Sequence, residues 1–473
     1  GKVYTSINLA LQKRIEALLA THIQRLKAYN IHNAAALVIE NKSMNILAYL
    51  PSHDFYDTEH GGQNNGLRSL VSPGSTLKPF IYAKSLEEGH ITPLKKVFDV
   101  PLFIEGYQPM NYSKRYLGEL TATEALQLSL NIPAVELDRL LNDKSLYHLL
   151  KDANIASLNK KKAYYGSSLS LGGFGLPLQN NAELFAMLAN GGVYQKASFL
   201  LKRNVTQAKQ LLSPESCYLV SEILADAPRS AFSSTWGSMK KMQKIAFKTG
   251  TSAHARDMLT LGYTPEYTVA VWYGNFSGEA SKTLKGIRPT GLQTASPTMF
   301  EIFSLLGKQR WFKKPKRVVT KTICQDAIQL GSCQHYVKDN VIRGVKTKQS
   351  CQILRAEVLS YLQQQGTLSS INALKSHPCY EKWTQYKPLI TSPTHNTTYT
   401  YNQFLPQEMK KSKLECFSFN ENPKIYWLIN NETPIIWKSG EPLYHYLAPG
   451  QHSISCLDEG AKVRKIDVRI EEK

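Results

Sequence analysis

The chain lacks the long apolar run, the repeats and the biased composition that mark membrane-spanning, repeat and disordered proteins. Across its 473 residues, no run approaches the roughly 18 apolar residues that a bilayer-crossing helix needs, and residues 1 to 4 do not resemble a signal peptide. Hydrophobic residues make up 42% and charged residues 20% of the chain, which excludes wholesale disorder. The length allows one large core and a smaller module.

Metal-ligand spacing is missing as well. The 12 histidines are scattered, and the nearest approach to a ligand pattern is His377 with Cys379. No Cys-x-x-Cys pair occurs. We therefore expect no metal site and no cofactor.

Six of the seven cysteines lie in the last third of the chain. Because they are clustered and even in number, they favour disulfides, and disulfides indicate an oxidising compartment. The short span between Cys324 and Cys333 makes that pair the preferred disulfide. The two further expected pairs are Cys351–Cys379 and Cys416–Cys456. Cys217 is left over as a buried thiol.

Positive charge dominates the composition, with 57 Lys and Arg against 37 Asp and Glu, a net charge of +20. Such an excess favours anionic surroundings, whether nucleic acid, a membrane surface or an acidic polymer. The densest basic run, Lys313 to Arg317, carries no interleaved aromatic or glycine residues. We interpret it as a solvated linker and expect no nucleic-acid partner.

Hydrophobic periodicity predicts a mixed α+β domain followed by an all-β module. Helices are expected at 5–29, 120–141, 183–190 and 214–225. Strands are expected at 34–40, 46–50, 244–252, 258–263 and 267–273. These strands make a five-stranded antiparallel sheet flanked by helices, and the strand-and-turn pattern after about Lys387 predicts a small β-sandwich. The expected domains are 1–315, a cysteine-containing linker region at 316–386, and the sandwich at 387–473.

Ser75 and Lys78 stand three residues apart where a helix is expected to open, just after the turn signal Pro73-Gly74. Positions i and i+3 share a helix face, so the hydroxyl and the amine can touch. A serine becomes a nucleophile when a neighbouring base takes its proton, and a lysine is such a base only when neutral. Because the reference pKa of lysine is about 10.4, burial and the positive end of the helix have to lower it.

A lone Ser-x-x-Lys is weak evidence, since 157–160 and 238–241 repeat it. Two further patterns follow in order, Ser129-Leu130-Asn131 and Lys248-Thr249-Gly250, and the three together form the motif set of β-lactamases and penicillin-binding proteins. Ser129 ends an apolar helical run and lies at a helix-to-loop junction, while Lys248 follows strand-like residues. One motif on a helix, one on a loop and one on a strand could wall a shared cleft.

A second ordered set is disfavoured by its surroundings. It consists of Ser157 with Lys160, then 370–372, then 438–440. Ser157 precedes three consecutive lysines, so its segment has no apolar face with which to bury an amine. The last triplet falls in the turn-rich sandwich, far from the helical region that carries Ser157.

The first set supplies a nucleophile and its bases. Ser75 would attack a carbonyl carbon, and its own backbone N–H with that of Thr251 would hold the developing oxyanion. Lys78 would accept the serine proton, directly or with a relay through Ser129 to the leaving amine. Asn131 could hydrogen-bond Lys78 and the substrate amide.

The strand motif suits a negatively charged end of the substrate. Lys248 offers a positive charge, and the Thr249 and Thr251 hydroxyls on either side of Gly250 offer hydrogen-bond donors. The implied substrate is a reactive amide that carries a terminal carboxylate.

With these motifs, about the first 310 residues resemble the transpeptidase domain of class A penicillin-binding proteins. Further family-like positions are Asn111-Tyr112, Gly118, 130–135, 188–194, Asp257 and 262–264. The segment 171–173 and the terminal sandwich, with Trp427 and Asp458, resemble the penicillin-binding protein 1C branch. The resemblance covers nearly the whole chain, is weakest over 320–385, and implies the penicilloyl-serine transferase (β-lactamase/transpeptidase-like) fold.

The resemblance implies transpeptidation of peptidoglycan. Ser75 would attack the D-Ala-D-Ala bond of a stem peptide, release D-alanine and hold an acyl-enzyme until an amine from a neighbouring stem takes the acyl group. β-Lactams, as mimics of that dipeptide, are expected to acylate the same serine. The implied address is periplasmic or extracytoplasmic, where the basic charge suits anionic wall and membrane surfaces.

Two features depart from the family pattern. Members of this class begin with a membrane anchor and a glycosyltransferase domain, and neither is present. We therefore expect a fragment or a reduced relative, with membrane association only through a missing N-terminal segment. Leu259 stands where relatives often carry tryptophan in the strand after Lys-Thr-Gly.

Two other functions stay open. One is hydrolysis, by a D,D-carboxypeptidase or a β-lactamase, although no second base for deacylation is identifiable. The other is a catalytically silent penicillin-binding scaffold, which the intact motif set disfavours. For the sandwich alone, docking to the cell wall or to a protein partner is the preferred interpretation, and no residue identifies its ligand.

Overall fold

The computed structural model describes residues 2–102, 104, 108–201, 207–227, 243–328, 333–348, 357–358, 361–362, 365, 387–418 and 424–472. The chain forms two compact units. The first unit comprises Gly1–Lys95, Thr121–Ile323 and Val337–Lys348, and the second comprises Lys96–Leu120, Cys324–Tyr336 and Gln349–Lys473. The domain boundaries expected from the sequence stay predictions.

The elements within the described residues have the following bounds. The α-helices are α1 (Leu9–Leu26), α2 (Lys78–Glu87), α3 (Ala122–Gln127), α4 (Asn131–Leu140), α5 (Leu146–Asp152), α6 (Lys162–Tyr165), α7 (Leu178–Ala189), α8 (Pro214–Ala225) and α9 (Gly291–Leu305). Short 3-10 helices lie at Lys27–Tyr29, Gly74–Leu77, Asn142–Lys144, Gly166–Leu171, Ala253–Ala255 and Gln407–Met409. The strands are β1 (Asn33–Glu40), β2 (Asn45–Leu50), β3 (Leu70–Val71), β4 (Lys96–Asp99), β5 (Gly118–Thr121), β6 (Leu176–Pro177), β7 (Val193–Tyr194), β8 (Lys209–Gln210), β9 (Ala246–Thr251), β10 (Asp257–Tyr263), β11 (Tyr267–Gly274), β12 (Val318–Cys324), β13 (Tyr336–Ile342), β14 (Leu389–Ser392), β15 (Thr397–Tyr401), β16 (Lys411–Phe417), β17 (Lys424–Ile429), β18 (Ile435–Lys438), β19 (Leu443–Tyr446), β20 (Gly450–Asp458) and β21 (Val463–Glu472).

The first unit is built on a five-stranded antiparallel sheet with the order β2-β1-β11-β10-β9. One face packs on α1 and α9 in a common apolar core, and α7 and α8 contact β11 and β9. The inner strands β1, β10 and β11 are buried almost throughout, as expected for strands covered on both faces. The expected α+β fold is confirmed, and β9 lies at the sheet edge.

Local sequence explains where α1 begins and which face it buries. The Asn8 side chain accepts a hydrogen bond of 3.1 Å from the Leu11 backbone N–H, which satisfies one of the unpaired donors of the first turn. Ile15, Leu19 and Ile23 then recur at helical spacing and are fully buried. The helix predicted for this stretch is confirmed.

The helix expected over 120–141 is two helices with a break between them. α3 ends at Gln127, Ser129 has φ 58°, and α4 begins at Asn131. Pro133 falls in the first turn of α4, where its missing N–H costs no helical hydrogen bond. The break therefore places Ser129 at the junction that its sequence context predicted.

Two larger sheets of the second unit share one core, in addition to the β4-β5 pair. β14, β16 and β19 form one sheet, and the order β15-β21-β20-β17-β18 forms the other. Leu414 from the first sheet and Trp427, Ile454 and Val468 from the second share a buried cluster. Because exposure alternates along β17 and β20, one face of each strand points to this core. The expected C-terminal sandwich is confirmed.

Two of the expected disulfides are present, Cys324–Cys333 and Cys416–Cys456. Cys416 and Cys456 are both fully buried, and they join β16 of one sheet to β20 of the other. Cys217 is a free, buried thiol whose pKa is raised by burial. Cys351 and Cys379 lie outside the described residues. Among the described residues, no helix is long and apolar enough to cross a membrane.

We predict that the Cys416–Cys456 disulfide contributes strongly to the stability of the sandwich. It closes a span of 40 residues, and a loop of that length corresponds to about 4 kcal/mol in the chain-entropy treatment. In a Cys416→Ala/Cys456→Ala variant, hydrogen exchange of β20 and β21 should accelerate by at least a hundredfold, as measured by mass spectrometry. Cys324→Ser/Cys333→Ser is the control, and an equal acceleration of β20 and β21 in it would contradict the prediction.

Candidate active site

Ser75 lies in a tight turn that leads directly into α2. The turn is the 3-10 helix Gly74–Leu77, and the Lys78 N–H donates to the Ser75 carbonyl as α2 begins. The predicted helix therefore opens as a 3-10 turn. The Thr76 hydroxyl donates to the Pro73 carbonyl at 2.7 Å, which holds the turn closed. Ser75 is partly exposed, whereas Thr76 and Lys78 are fully buried.

The Lys78 amine meets the second motif. Its Nζ donates to the Ser129 carbonyl at 2.5 Å and to the Asn131 Oδ1 at 2.6 Å, and it lies 3.5 Å from the Ser129 hydroxyl. Lys78 has no exposed surface. The first two motifs, which are about 50 residues apart in sequence, therefore form one hydrogen-bonded group.

The backbone at Ser129 is what allows this contact. A φ of 58° is uncommon for a residue with a side chain and costs about 1 kcal/mol or more. The turn is held by hydrogen bonds from the Ser129 N–H to Leu126 and from the Leu130 N–H to Ala125, at 3.1 and 3.0 Å. This strained conformation turns the carbonyl and the hydroxyl of Ser129 toward the Lys78 amine.

The third motif lies on the edge strand β9, paired with β10. The register places Lys248 opposite Leu261, Gly250 opposite Leu259 and Thr251 opposite Met258. Side chains alternate along a strand, so Lys248 and Gly250 share one face, and Thr249 and Thr251 share the other. Lys248 therefore lies on the sheet face against which the Ser75 turn packs.

Gly250 is required for the close approach of the Ser75 turn. A Cβ at this position would lie 2.5 Å from the Pro73 carbonyl oxygen and 2.9 Å from the Thr76 methyl carbon. A Cβ on Gly74 would lie 3.2 Å from the Thr251 backbone nitrogen. The Ser75 turn and β9 are thus in backbone contact, which brings the Ser75 and Thr251 segments side by side.

A second glycine closes the other side of the turn. Gly172 has φ 84°, and a Cβ there would lie 2.3 Å from the Gly74 backbone nitrogen. The Ser72 hydroxyl donates to the Gly172 carbonyl at 2.9 Å. The segment 171–173, which the sequence singled out only by resemblance, therefore clamps the Ser75 turn from the side opposite β9.

Lys248 is buried with little polar support. Lys248 is 4% exposed, and its Nζ donates to the Thr249 carbonyl at 3.1 Å. Burial lowers the pKa of the Lys248 ammonium to about 7. The charged form is disfavoured because the amine has left water.

Three contacts around the site were not predicted from the sequence. The buried Asn181 on α7 donates to the Thr76 hydroxyl at 2.8 Å, and the Gly291 N–H at the start of α9 donates to the Thr251 hydroxyl at 3.1 Å. Trp272 donates to the Asp257 carboxylate at 3.0 Å. The start of α7 carries the polar run Gln179-Asn180-Asn181, which does not distinguish Asn181, and the glycine and tryptophan gave no signal either.

Asp257 lies at the start of β10, behind the turn. Its backbone N–H bonds the Ser252 hydroxyl at 2.8 Å, and its carboxylate also accepts a backbone hydrogen bond from Ser72. Burial raises the pKa of this carboxyl. Asp257 therefore ties the residue before the Pro73-Gly74 turn to the central sheet.

The alternative motif set has no comparable surroundings. Lys160 is exposed, so its amine is in contact with water and is not enclosed as that of Lys78 is. Lys438 is an exposed residue of β18, and 370–372 lie outside the described residues. Among the described residues, the one cluster with metal-ligand spacing is Cys324, Asp326 and Cys333, and its two sulfurs are bonded to each other.

Comparison with known proteins agrees with this geometry. The family model described as "Penicillin binding protein transpeptidase domain" matches residues 34–285. Penicillin-binding protein 1C of Escherichia coli is 29% identical over 277 residues, which cover 59% of this chain and 35% of that protein. Penicillin-binding protein 1A/1B of Bacillus subtilis is 26% identical over 292 residues, 56% of this chain and 31% of that protein. The chain thus spans about a third of the length of these relatives.

Solved structures show the same fold. PonA1 of Mycobacterium tuberculosis in complex with penicillin V superposes with a TM-score of 0.53 at 20% identity, over 67% of this chain and 88% of that chain. Penicillin-binding protein 1A of Haemophilus influenzae gives 0.55 at 19% identity, over 67% and 54%. The fold is that of penicillin-binding transpeptidase domains. With the family model matching more than half of its length, the chain belongs to the penicillin-binding protein transpeptidase family.

We predict that Lys248 destabilises the folded chain at low pH. Its folded pKa of about 7 lies below the unfolded value of about 10.4, so the unfolded state binds the extra proton and stability rises with pH between these values. The stability advantage of Lys248→Met over the parent should shrink by roughly 4 kcal/mol between pH 6 and pH 10. Urea unfolding across this range measures it. Lys282→Met, which replaces an exposed lysine, should show no such trend.

Proposed function

We propose that the chain is a peptidoglycan D,D-transpeptidase that acts through an acyl-enzyme on Ser75. The observation that carries the proposal is the buried Lys78 amine, which follows the partly exposed Ser75 by three residues and bonds Ser129 and Asn131. A buried base beside an accessible hydroxyl is the arrangement that activates a serine nucleophile.

The contacts of Lys78 support a base of defined orientation. A neutral amine has two N–H groups and one lone pair. With its two N–H groups donating to the Ser129 carbonyl and the Asn131 Oδ1, the amine would take the Ser75 proton on its lone pair. The Ser129 hydroxyl, 3.5 Å from Nζ, can then receive that proton and pass it to the leaving nitrogen. Departure of the amine requires this transfer.

The oxyanion would be held by two backbone N–H groups, those of Ser75 and Thr251. Support comes from the close approach of the Gly74 turn to Thr251: a Cβ on Gly74 would lie 3.2 Å from the Thr251 backbone nitrogen. Donors fixed on two rigid segments cost no reorganisation when the negative charge develops. Gly250 matters because it lets the two segments approach this closely.

Lys248 would recognise the terminal carboxylate of the substrate, with Thr249, Gly250 and Thr251 forming the strand edge beside it. A carboxylate next to the amine favours the charged form and raises its pKa above the present value of about 7. Binding of an anionic ligand is therefore coupled to proton uptake. Above neutral pH the uptake becomes more costly, so ligand capture should weaken.

These roles lead to a substrate class. A reactive amide with a terminal carboxylate describes the D-Ala-D-Ala end of a stem peptide, and a second stem supplies the amine that takes the acyl group. β-Lactams mimic the first substrate and acylate Ser75. We place this chemistry in residues 1–315, with 316–386 as a linker region and 387–473 as a module for a wall or protein partner.

An extracytoplasmic, periplasmic location fits the same proposal. The two disulfides require an oxidising compartment for stability. The net charge of +20 suits attraction to anionic wall and membrane surfaces, and such attraction weakens as salt rises. Nucleic acid is not a proposed partner.

We predict a covalent penicillin adduct on the parent chain and none on Ser75→Ala. Intact mass after brief incubation with benzylpenicillin measures the adduct, and a chase without drug measures its lifetime. A long-lived adduct is expected of a transferase, because it holds the acyl group until an amine takes it. Loss of the adduct within seconds would mean hydrolysis, and no adduct on the parent would mean a silent scaffold.

We also predict that Gly250→Ala slows acylation by about a hundredfold, since displacement by about 1 Å at a reacting group has this order of effect. The added methyl group would meet the Pro73 carbonyl and push the Ser75 turn away from Thr251. The second-order rate with a fluorescent penicillin measures it. Gly278→Ala is the control for backbone strain alone, because Gly278 has φ 77° but a Cβ there meets nothing within 4 Å. Equal slowing in both variants would contradict the proposed role of the close approach.

A further inference from the structure

The second unit contains a cavity of about 520 Å³ that the proposed catalysis does not use. All of its lining residues belong to this unit, from the 96–120 segment and from the residues after 349. This volume lies in the range of sites for small organic ligands. Its walls carry four aromatic rings and several uncharged polar groups, including Tyr116, Tyr361, Tyr399, Phe417, Gln108 and Thr391. We call it the ring-lined cavity.

The tyrosines of the ring-lined cavity are held in place before any ligand arrives. A Cβ at Gly118 would lie 2.5 Å from the Tyr361 hydroxyl oxygen, so the glycine makes room for this ring. The Glu119 N–H donates to the same oxygen at 3.1 Å, and the Thr394 N–H donates to the Tyr399 hydroxyl at 2.8 Å. A phenolic oxygen that accepts a backbone hydrogen bond can still donate its own hydrogen to a ligand.

Lys413, the one basic residue among the described residues that line the cavity, is paired with an acidic residue of the same wall. Lys413 pairs with Glu415 at 3.1 Å, and the Thr391 hydroxyl donates to Glu415 at 2.9 Å. Glu357 adds a buried carboxyl. Because Lys413 is already paired with Glu415, the cavity wall offers little net attraction to an anionic ligand. Hydrogen bonding and ring contact therefore dominate its chemistry.

We propose that the ring-lined cavity binds a short β-1,4-linked oligosaccharide of N-acetylated sugars. The C–H face of a pyranose packs on an aromatic ring, while hydroxyl and acetamido groups around its edge exchange hydrogen bonds with tyrosine, glutamine and threonine side chains. The proposal rests on the proposed function in one respect, since a glycan of this chemistry is the backbone of peptidoglycan. The second unit would then hold the glycan strand while Ser75 acts on its stem peptides.

The test is isothermal titration of the full chain with the N-acetylglucosamine tetramer. We expect saturable binding that weakens at least tenfold in Tyr116→Ala, which removes a ring. Thr394→Trp, which fills the cavity and keeps the backbone N–H that bonds Tyr399, should abolish binding without emptying the core. Tyr444→Ala is the matched control, because Tyr444 is 59% exposed and lies on β19 outside the cavity lining. It should bind as the parent does.

Three results would overturn the proposal. These are no binding to the parent chain, equal binding by the parent and Thr394→Trp, or displacement of the sugar by a sugar-free stem peptide, which would assign the cavity to peptide. Penicillin acylation of each variant, measured in parallel, keeps the two proposals apart. If the parent chain is acylated but binds no sugar, only the cavity proposal is wrong. If it binds sugar but is never acylated, only the proposed catalysis is wrong.

Discussion

The contact on which the site depends is between two stretches of backbone, the turn before Ser75 and the edge strand β9. They lie closer than any side chain would allow, because Gly250 presents no Cβ to the Pro73 carbonyl and Gly172 presents none to the turn from the other side. Hydrogen bonds from Ser72 and Asn181 then hold the turn. Backbone N–H groups on two segments in such contact are rigidly placed, which is what the proposed oxyanion site on Ser75 and Thr251 needs.

Two buried lysines face this turn, and their surroundings differ. Lys78 is enclosed by the oxygens of Ser129 and Asn131, whereas Lys248 is buried with a backbone carbonyl at 3.1 Å and its pKa falls to about 7. An amine surrounded by hydrogen-bond acceptors is held in one orientation, which suits the proton transfer proposed for Lys78. An amine with few acceptors gains the most hydrogen bonding and charge stabilisation when a carboxylate binds, which suits the recognition proposed for Lys248. The same residue type can therefore serve two purposes because burial and hydrogen bonding act on it separately.

The second unit combines distant parts of the chain. Lys96–Leu120 is inserted between segments of the first unit in sequence, yet it belongs with the C-terminal residues. Gly118 gives space to Tyr361, and the sandwich supplies Tyr399 and Phe417 to the same cavity. The cavity of the second unit is therefore completed by a segment that lies, in sequence, between two parts of the first unit.

Pattern in the sequence determined the fold class, the five strands of the main sheet, the sandwich and the three motifs, because periodicity and turn residues act over a few positions. The disulfide between Cys416 and Cys456 was expected from clustering. Only the tertiary structure decided that a 3-10 turn carries Ser75, that Gly291 bonds Thr251 and that 96–120 joins the second unit. These features depend on contacts between residues far apart in sequence. Local propensity does not predict such contacts, because they form only when packing brings the segments together.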